Sequence, residues 1–147
     1  MVYKPSEWDL THLVSDRNKL DKHLEVLEKL LKKVESYKTK FKPTITNKEF
    51  NNLIDDLEKY DKLGGTLAQY AHLWFSENTA NKEAIAFKSK IQNISADHSN
   101  RMLWFDLDFI KFPKKDCDRL IKGNKKSDYN LSLIIKNKDY ILTDKEE

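Results

Sequence analysis

The sequence predicts an all-α, bundle-like protein, and three observations carry that expectation. The 147 residues include only 3 Gly and 3 Pro, whereas sandwiches and barrels need a turn signal about every ten residues. Apolar residues recur in steps of three and four along three long stretches. Each stretch is bounded by a proline or by a polar junction able to cap a helix. The expected architecture is a hairpin of long antiparallel helices, a third long helix and short C-terminal helices, all within one domain covering residues 1–147. A chain of this length buries roughly 68–70% of its unfolded surface, enough for a core. The 11% aromatic content supplies its bulk and argues against disorder.

Met1 to Val14 has no strong helical period, but it contains Trp8-Asp9-Leu10. A tryptophan so close to a terminus is expected to dock onto the body of the domain. After Ser15, the residues Leu20, Leu24, Leu27, Leu31, Val34 and Phe41 keep helical spacing, which predicts a helix from about Asp16 to Lys40 that Pro43 ends. Thr46-Asn47-Lys48-Glu49 fits a capping box, in which the threonine hydroxyl accepts from a backbone N–H and the glutamate reaches back to the cap. The second helix follows on Phe50, Leu53, Leu57, Tyr60, Leu67, Ala71 and Trp74. Gly64-Gly65 inside it predict close packing or a mild kink, because glycine weakens a helix interior.

Asn78 or Thr79 is the expected cap of the third helix. Its stripe is Ala84, Phe87, Ile91, Ile94, His98, Met102, Phe105 and Phe109. The block from Trp104 to Phe109 is apolar on more than one face, so burial on two sides is expected there. Pro113 ends the run. Short helices are predicted from Asp116 to Ile121, stopped by Gly123, and from Tyr129 to Lys136. Thr143 to Glu146 forms another capping box after Leu142, with only Glu147 beyond it, so the sequence is expected to stop where a further helix would begin.

Net charge is +3, from 27 basic and 24 acidic residues that are interleaved. Only Arg17, Arg101 and Arg119 are arginines, and a lysine-dominated excess suits a solvated surface better than phosphate recognition. No nucleic-acid partner is expected. Cys117 is the single cysteine, which excludes an intramolecular disulfide and points to a reducing compartment. Met1 to Glu7 lacks the apolar run of a secretory signal, and no stretch approaches the ~20 apolar residues of a membrane span. The expectation is a cytoplasmic protein with no membrane partner.

His12, His23, His72 and His98 include no pair three or four residues apart, so His-Glu-x-x-His is absent, as is Cys-x-x-Cys. Asp9-Leu10-Thr11-His12 is the nearest approach to a di-iron Glu-x-x-His set and reads as a surface or capping arrangement. His98, beside Asp97 on an apolar stripe, reads as a core or rim histidine bonded to a neighbour, and His72 is read in the same way. Cys117 lies between Asp116 and Asp118, whose carboxylates raise a thiol pKa. Gly64-Gly65 lack the spacing of a phosphate cradle. Tyr70, Trp74 and Phe75 form one aromatic cluster, and Trp104, Phe105 and Phe109 a second. Both read as core, with a partner-binding groove as the alternative. No catalytic, cofactor-binding or metal-binding residue is therefore assigned to the chain.

Four blocks in fixed order carry a resemblance: Trp8-Asp9-Leu10, the stretch Tyr70-Ala71-His72-Leu73-Trp74-Phe75 running into Ser76 to Asn81, the block Trp104 to Phe109, and Tyr129-Asn130-Leu131 through Glu147. The chain resembles the N-terminal region of oligoendopeptidase F, a family of thimet-type zinc metallopeptidases. Glu77-Asn78 stands where that family typically has an aspartate before the threonine, and Asn130-Leu131 replaces a more aromatic pattern. The resemblance implies a helical lobe that helps to wall a deep channel in which short peptides are cleaved. The zinc, its His-Glu-x-x-His helix and the general base would lie in a catalytic domain following residue 147. The implied partners are that C-terminal catalytic domain and an oligopeptide substrate, and the chain alone would be inactive. The alternative is a free-standing helical adaptor that binds a protein through an aromatic groove. A lobe cut from an enzyme should also expose a large apolar patch along parts of its second and third helices.

Overall fold

The computed structural model describes residues 8–140, and the described residues form helices and turns with no strand. The all-α expectation holds. A short 3-10 turn, Arg17–Lys19, leads into α1 (Leu20–Glu35); α2 is Asn47–Glu77, α3 Lys82–Phe109, α4 Lys114–Lys122 and α5 Asp128–Lys136, followed by a second 3-10 turn, Asn137–Tyr140.

The first helix is shorter than its apolar spacing predicts. Asp16 Oδ1 accepts from the Asn18 N–H at 3.0 Å and starts the 3-10 turn. Beyond Glu35 the chain leaves the helix through turn bonds such as Phe41 N–H to Tyr37 C=O, 2.9 Å. Phe41 and Ile45 are buried by this turn rather than by a helical face. At the start of α2, the Glu49 N–H donates to Thr46 Oγ1 at 3.2 Å, as a capping box requires. The Glu49 carboxylate reaches back to the cap and accepts from the Thr46 hydroxyl at 2.9 Å.

The helix continues without a break through Gly64-Gly65. A Cβ placed on Gly64 would lie 3.6 Å from Leu27 Cδ1, an ordinary contact, and one on Gly65 would meet nothing within 4 Å. Packing therefore does not demand glycine at either position. The cap of α3 is neither Asn78 nor Thr79. Asn78 Oδ1 accepts from the Ala80 N–H at 3.0 Å within a turn, and Asn81 Oδ1 caps the helix by accepting from Glu83 and Ala84 at 3.0 and 3.2 Å. Pro113 immediately precedes α4, where its missing N–H costs nothing, and Gly123 follows it. The Thr143 box lies outside the described residues.

The chain divides into two compact units, Met1–Lys32 with Glu58–Asn100, and Lys33–Leu57 with Arg101–Glu147. In the first unit, Arg17 meets Tyr70 while Leu27 lies by Gly64, so α1 and α2 run antiparallel. Asp21 meets Lys90 and Glu28 meets His98, so α1 and α3 run in the same direction. Leu27, Leu31, Leu67, Ala71, Trp74, Ala84, Phe87 and Ile91 form the interior. In the second unit, Phe41 is the hub, with ring centroids 4.9 Å from Phe112, 5.1 Å from Phe105 and 5.3 Å from Trp104. Leu120 and Leu131 bring α4 and α5 into the same cluster. Each such large apolar side chain contributes about 1.5–3 kcal/mol on burial.

Three packing expectations need correction. Trp8 is anchored by its backbone N–H, which donates to Glu77 Oε1 at 2.6 Å, while the residue stays 48% exposed. In the Trp104 block, Trp104, Phe105 and Phe109 are buried, but Leu103 and Asp106 are exposed, so the helix buries one broad face and not two sides. The expected apolar patch on α2 and α3 is also not built from large side chains. Among the described residues, the exposed large apolar ones are Trp8, Val26, Ile85, Leu103 and Tyr129; none belongs to α2, and Ile85 and Leu103 stand near opposite ends of α3.

Candidate functional site

His98 has the most developed polar environment in the first unit. Only 5% exposed, it places Nδ1 3.1 Å from the Tyr60 hydroxyl and Nε2 3.2 Å from Glu28 Oε2. A neutral ring satisfies both contacts when the tyrosine donates to Nδ1 and the Nε2–H donates to the carboxylate. Carboxylate, imidazole and hydroxyl thus follow one another in the order of a nucleophilic triad. Tyr60 is itself buried, however, and the groove of about 710 Å³ that Glu28 lines is built from α1 and α3 side chains such as Asp21, Lys29 and Lys90. The chain of bonds ties three helices together, and His98 is the bonded core histidine that its position on the stripe predicts.

The second unit holds an equivalent device. Asp56, 2% exposed, accepts from Lys33 Nζ at 3.0 Å and from the Tyr37 hydroxyl at 3.1 Å. Arg101 grips Glu35 through Nε and Nη2, both at 2.8 Å. Arg119 joins α4 to the first residue of α2 and to the segment before it, donating to Asn47 Oδ1 at 2.7 Å and to the carbonyls of Pro43 and Ile45 at 2.8 and 3.0 Å. Cys117 is buried, and its thiol is pushed up first by that burial and then by Asp118 and Asp116. Sequence reasoning named the carboxylates and missed the larger cause.

The remaining histidines do not converge. His12 and His72 are exposed, and His23 is half-buried in α1. Among the described residues, no group of three His, Cys, Asp or Glu side chains could hold a metal ion. Residues to hold the zinc implied by the resemblance are therefore not found among them. The aromatic clusters are interior: Tyr70, Trp74 and Phe87 interlock at 5.8–6.2 Å, and Trp104, Phe105 and Phe109 surround Phe41. Phe75 remains half-buried beneath Lys88, whose Nζ lies 3.8 Å from its ring centroid. Core, not groove, is what these clusters form.

An arginine that sequence reasoning passed over occupies the first unit's edge. Arg17 Nε donates to the Tyr70 hydroxyl at 3.0 Å, and its guanidinium carbon lies 4.1 Å from the Trp74 ring centroid. A cleft of about 230 Å³ opens beside it. Tyr70 and Trp74 belong to the helical stripe, but nothing in their spacing indicates that the segment before α1 folds over them. Asp56 was more legible, because it falls three residues after Leu53 and four before Tyr60, a charge set on an apolar stripe.

Compared with protein families, curated proteins and solved structures, the chain matches none. No helix among the described residues is long and apolar enough to cross a membrane.

Proposed function

We propose that this chain is a non-catalytic helical lobe of an oligoendopeptidase F-like zinc metallopeptidase, helping to wall a channel that admits short peptides. The observation that supports this reading is the use made of the blocks carrying the resemblance. Tyr70, Ala71 and Trp74 are spent on the interior of the first unit, and Trp104, Phe105 and Phe109 on that of the second. These blocks build a scaffold. The buried polar groups His98 and Asp56 are likewise engaged with neighbouring side chains. Hydrolysis would then belong to a separate zinc-bearing domain, with that domain and an oligopeptide as partners.

The test has two arms. The isolated chain, incubated with a quenched fluorogenic peptide and zinc, should show no metal-dependent turnover; turnover would overturn the non-catalytic reading. The coding sequence downstream of Glu147 should continue in frame to a His-Glu-x-x-His motif. An in-frame stop with no neighbouring gene for a zinc peptidase would favour a free-standing adaptor instead.

A further inference from the structure

We propose that the cleft beside Arg17 binds an α-carboxylate flanked by a nitrogen donor, as presented by the last residue of a peptide or by a free amino acid. The inference stands independently of the peptidase reading.

Three features place the chemistry. First, Arg17 is held from two sides, by the Tyr70 hydroxyl on Nε and by the face of Trp74. That leaves both Nη groups, which make no ion pair among the described residues, as a pre-oriented fork. Such a fork matches a carboxylate with two parallel hydrogen bonds, and little side-chain entropy remains to be lost on binding.

Second, Asp9 lines the same cleft. Its Oδ1 accepts from the Thr11 hydroxyl at 2.6 Å and from the Thr11 N–H at 3.0 Å, and these bonds, the hydroxyl's first, hold its pKa below that of an ordinary aspartate. The fixed negative charge repels a phosphate dianion and attracts an ammonium or amide N–H. Opposite charges facing one cleft select a ligand carrying both.

Third, the size is restrictive. About 230 Å³ falls below the range of pockets for drug-sized molecules and suits one small residue. Trp8, whose peptide N–H is tethered to Glu77, supplies a half-exposed aromatic wall, and the exposed Ser15 adds a hydroxyl at the rim.

The experiment is a proton–nitrogen NMR titration of the intact chain with trialanine, trialanine amide, alanine and inorganic phosphate. Trialanine or alanine should shift the Arg17 Nε–H, the Trp74 indole and the Ser15 amide saturably. Saturation by trialanine but not alanine identifies a peptide end as the source, and the reverse identifies a free amino acid. Blocking the carboxylate as the amide should abolish binding. Arg17→Lys should weaken it about tenfold or more while the spectrum stays dispersed, because lysine lacks the fork. Asp9→Asn should weaken it as well and provides a second variant remote from the Trp74 contact. Absence of saturable shifts at millimolar ligand, binding of phosphate or of the amide as tight as that of trialanine, or tighter binding by Asp9→Asn would each overturn the proposal.

Discussion

The Tyr60 hydroxyl lies 3.1 Å from His98 Nδ1, and both side chains are buried. Phenylalanine at position 60 would keep the ring and leave a ring nitrogen in the core without that hydroxyl. Tyr60→Phe should therefore cost about 1–3 kcal/mol, the penalty of an unsatisfied buried polar group. Urea denaturation monitored by circular dichroism measures it, and an unchanged midpoint would show that the bond contributes nothing.

Asp56 and Lys33 form an asymmetric pair, with side chains 3% and 56% exposed respectively. Lys33→Met leaves a buried carboxylate with one cationic partner fewer, whereas Asp56→Asn leaves a lysine that water can solvate. Lys33→Met should be the more damaging, by about 1–3 kcal/mol relative to the unmodified chain. Thermal unfolding of both variants at neutral pH tests the order.

Phe41 centres the aromatic cluster of the second unit and is 4% exposed. Truncation to alanine should cost about 3–5 kcal/mol, since five neighbouring rings would line the cavity it leaves. Hydrogen exchange should show the loss first in the amides of Trp104 to Phe112.

Glycine substitutions should have opposite signs at two sites. Gly64→Ala places its Cβ at ordinary contact distance from Leu27 and should stabilise α2 by about 0.5–1 kcal/mol. Gly123→Ala places one 2.6 Å from Asn47 Nδ2 and 3.2 Å from the Arg119 carbonyl oxygen, so Asn47, which Arg119 holds, must move. It should destabilise by about 1 kcal/mol or more. Melting temperatures of the two variants should shift in opposite directions.

Cys117 should resist alkylation in the native state. Burial and two flanking carboxylates raise its thiol pKa, so at pH 8 less thiolate is present than for a free cysteine, and the fraction rises only at higher pH. Iodoacetamide should label it quickly in urea and slowly without. Fast labelling of the folded chain at pH 8 would contradict the burial described for it.

Much of the helical frame was readable because a helix of three to four turns or more repeats its apolar period many times. The stripe from Ala84 to Phe109 and the stops at Pro113 and Gly123 are local signals, and the helices respect them. The end of α1 was misread because Phe41 keeps the helical spacing but reaches the core through a turn. The α3 cap was misread because Asn78 and Asn81 offer the same side chain, and only the turn geometry distinguishes them.

By itself, the sequence determined the helical class, the identity of most core residues and the lack of a His-Glu-x-x-His or Cys-x-x-Cys signature, since each follows from residue type and local spacing. Tertiary structure alone decided which polar groups meet: Tyr60 with His98, Lys33 with Asp56, and Arg17 with Tyr70 and Trp74. These partners are 23 to 57 residues apart in the chain. No local propensity encodes such pairings; they arise when helices pack and buried polar groups find partners in place of water.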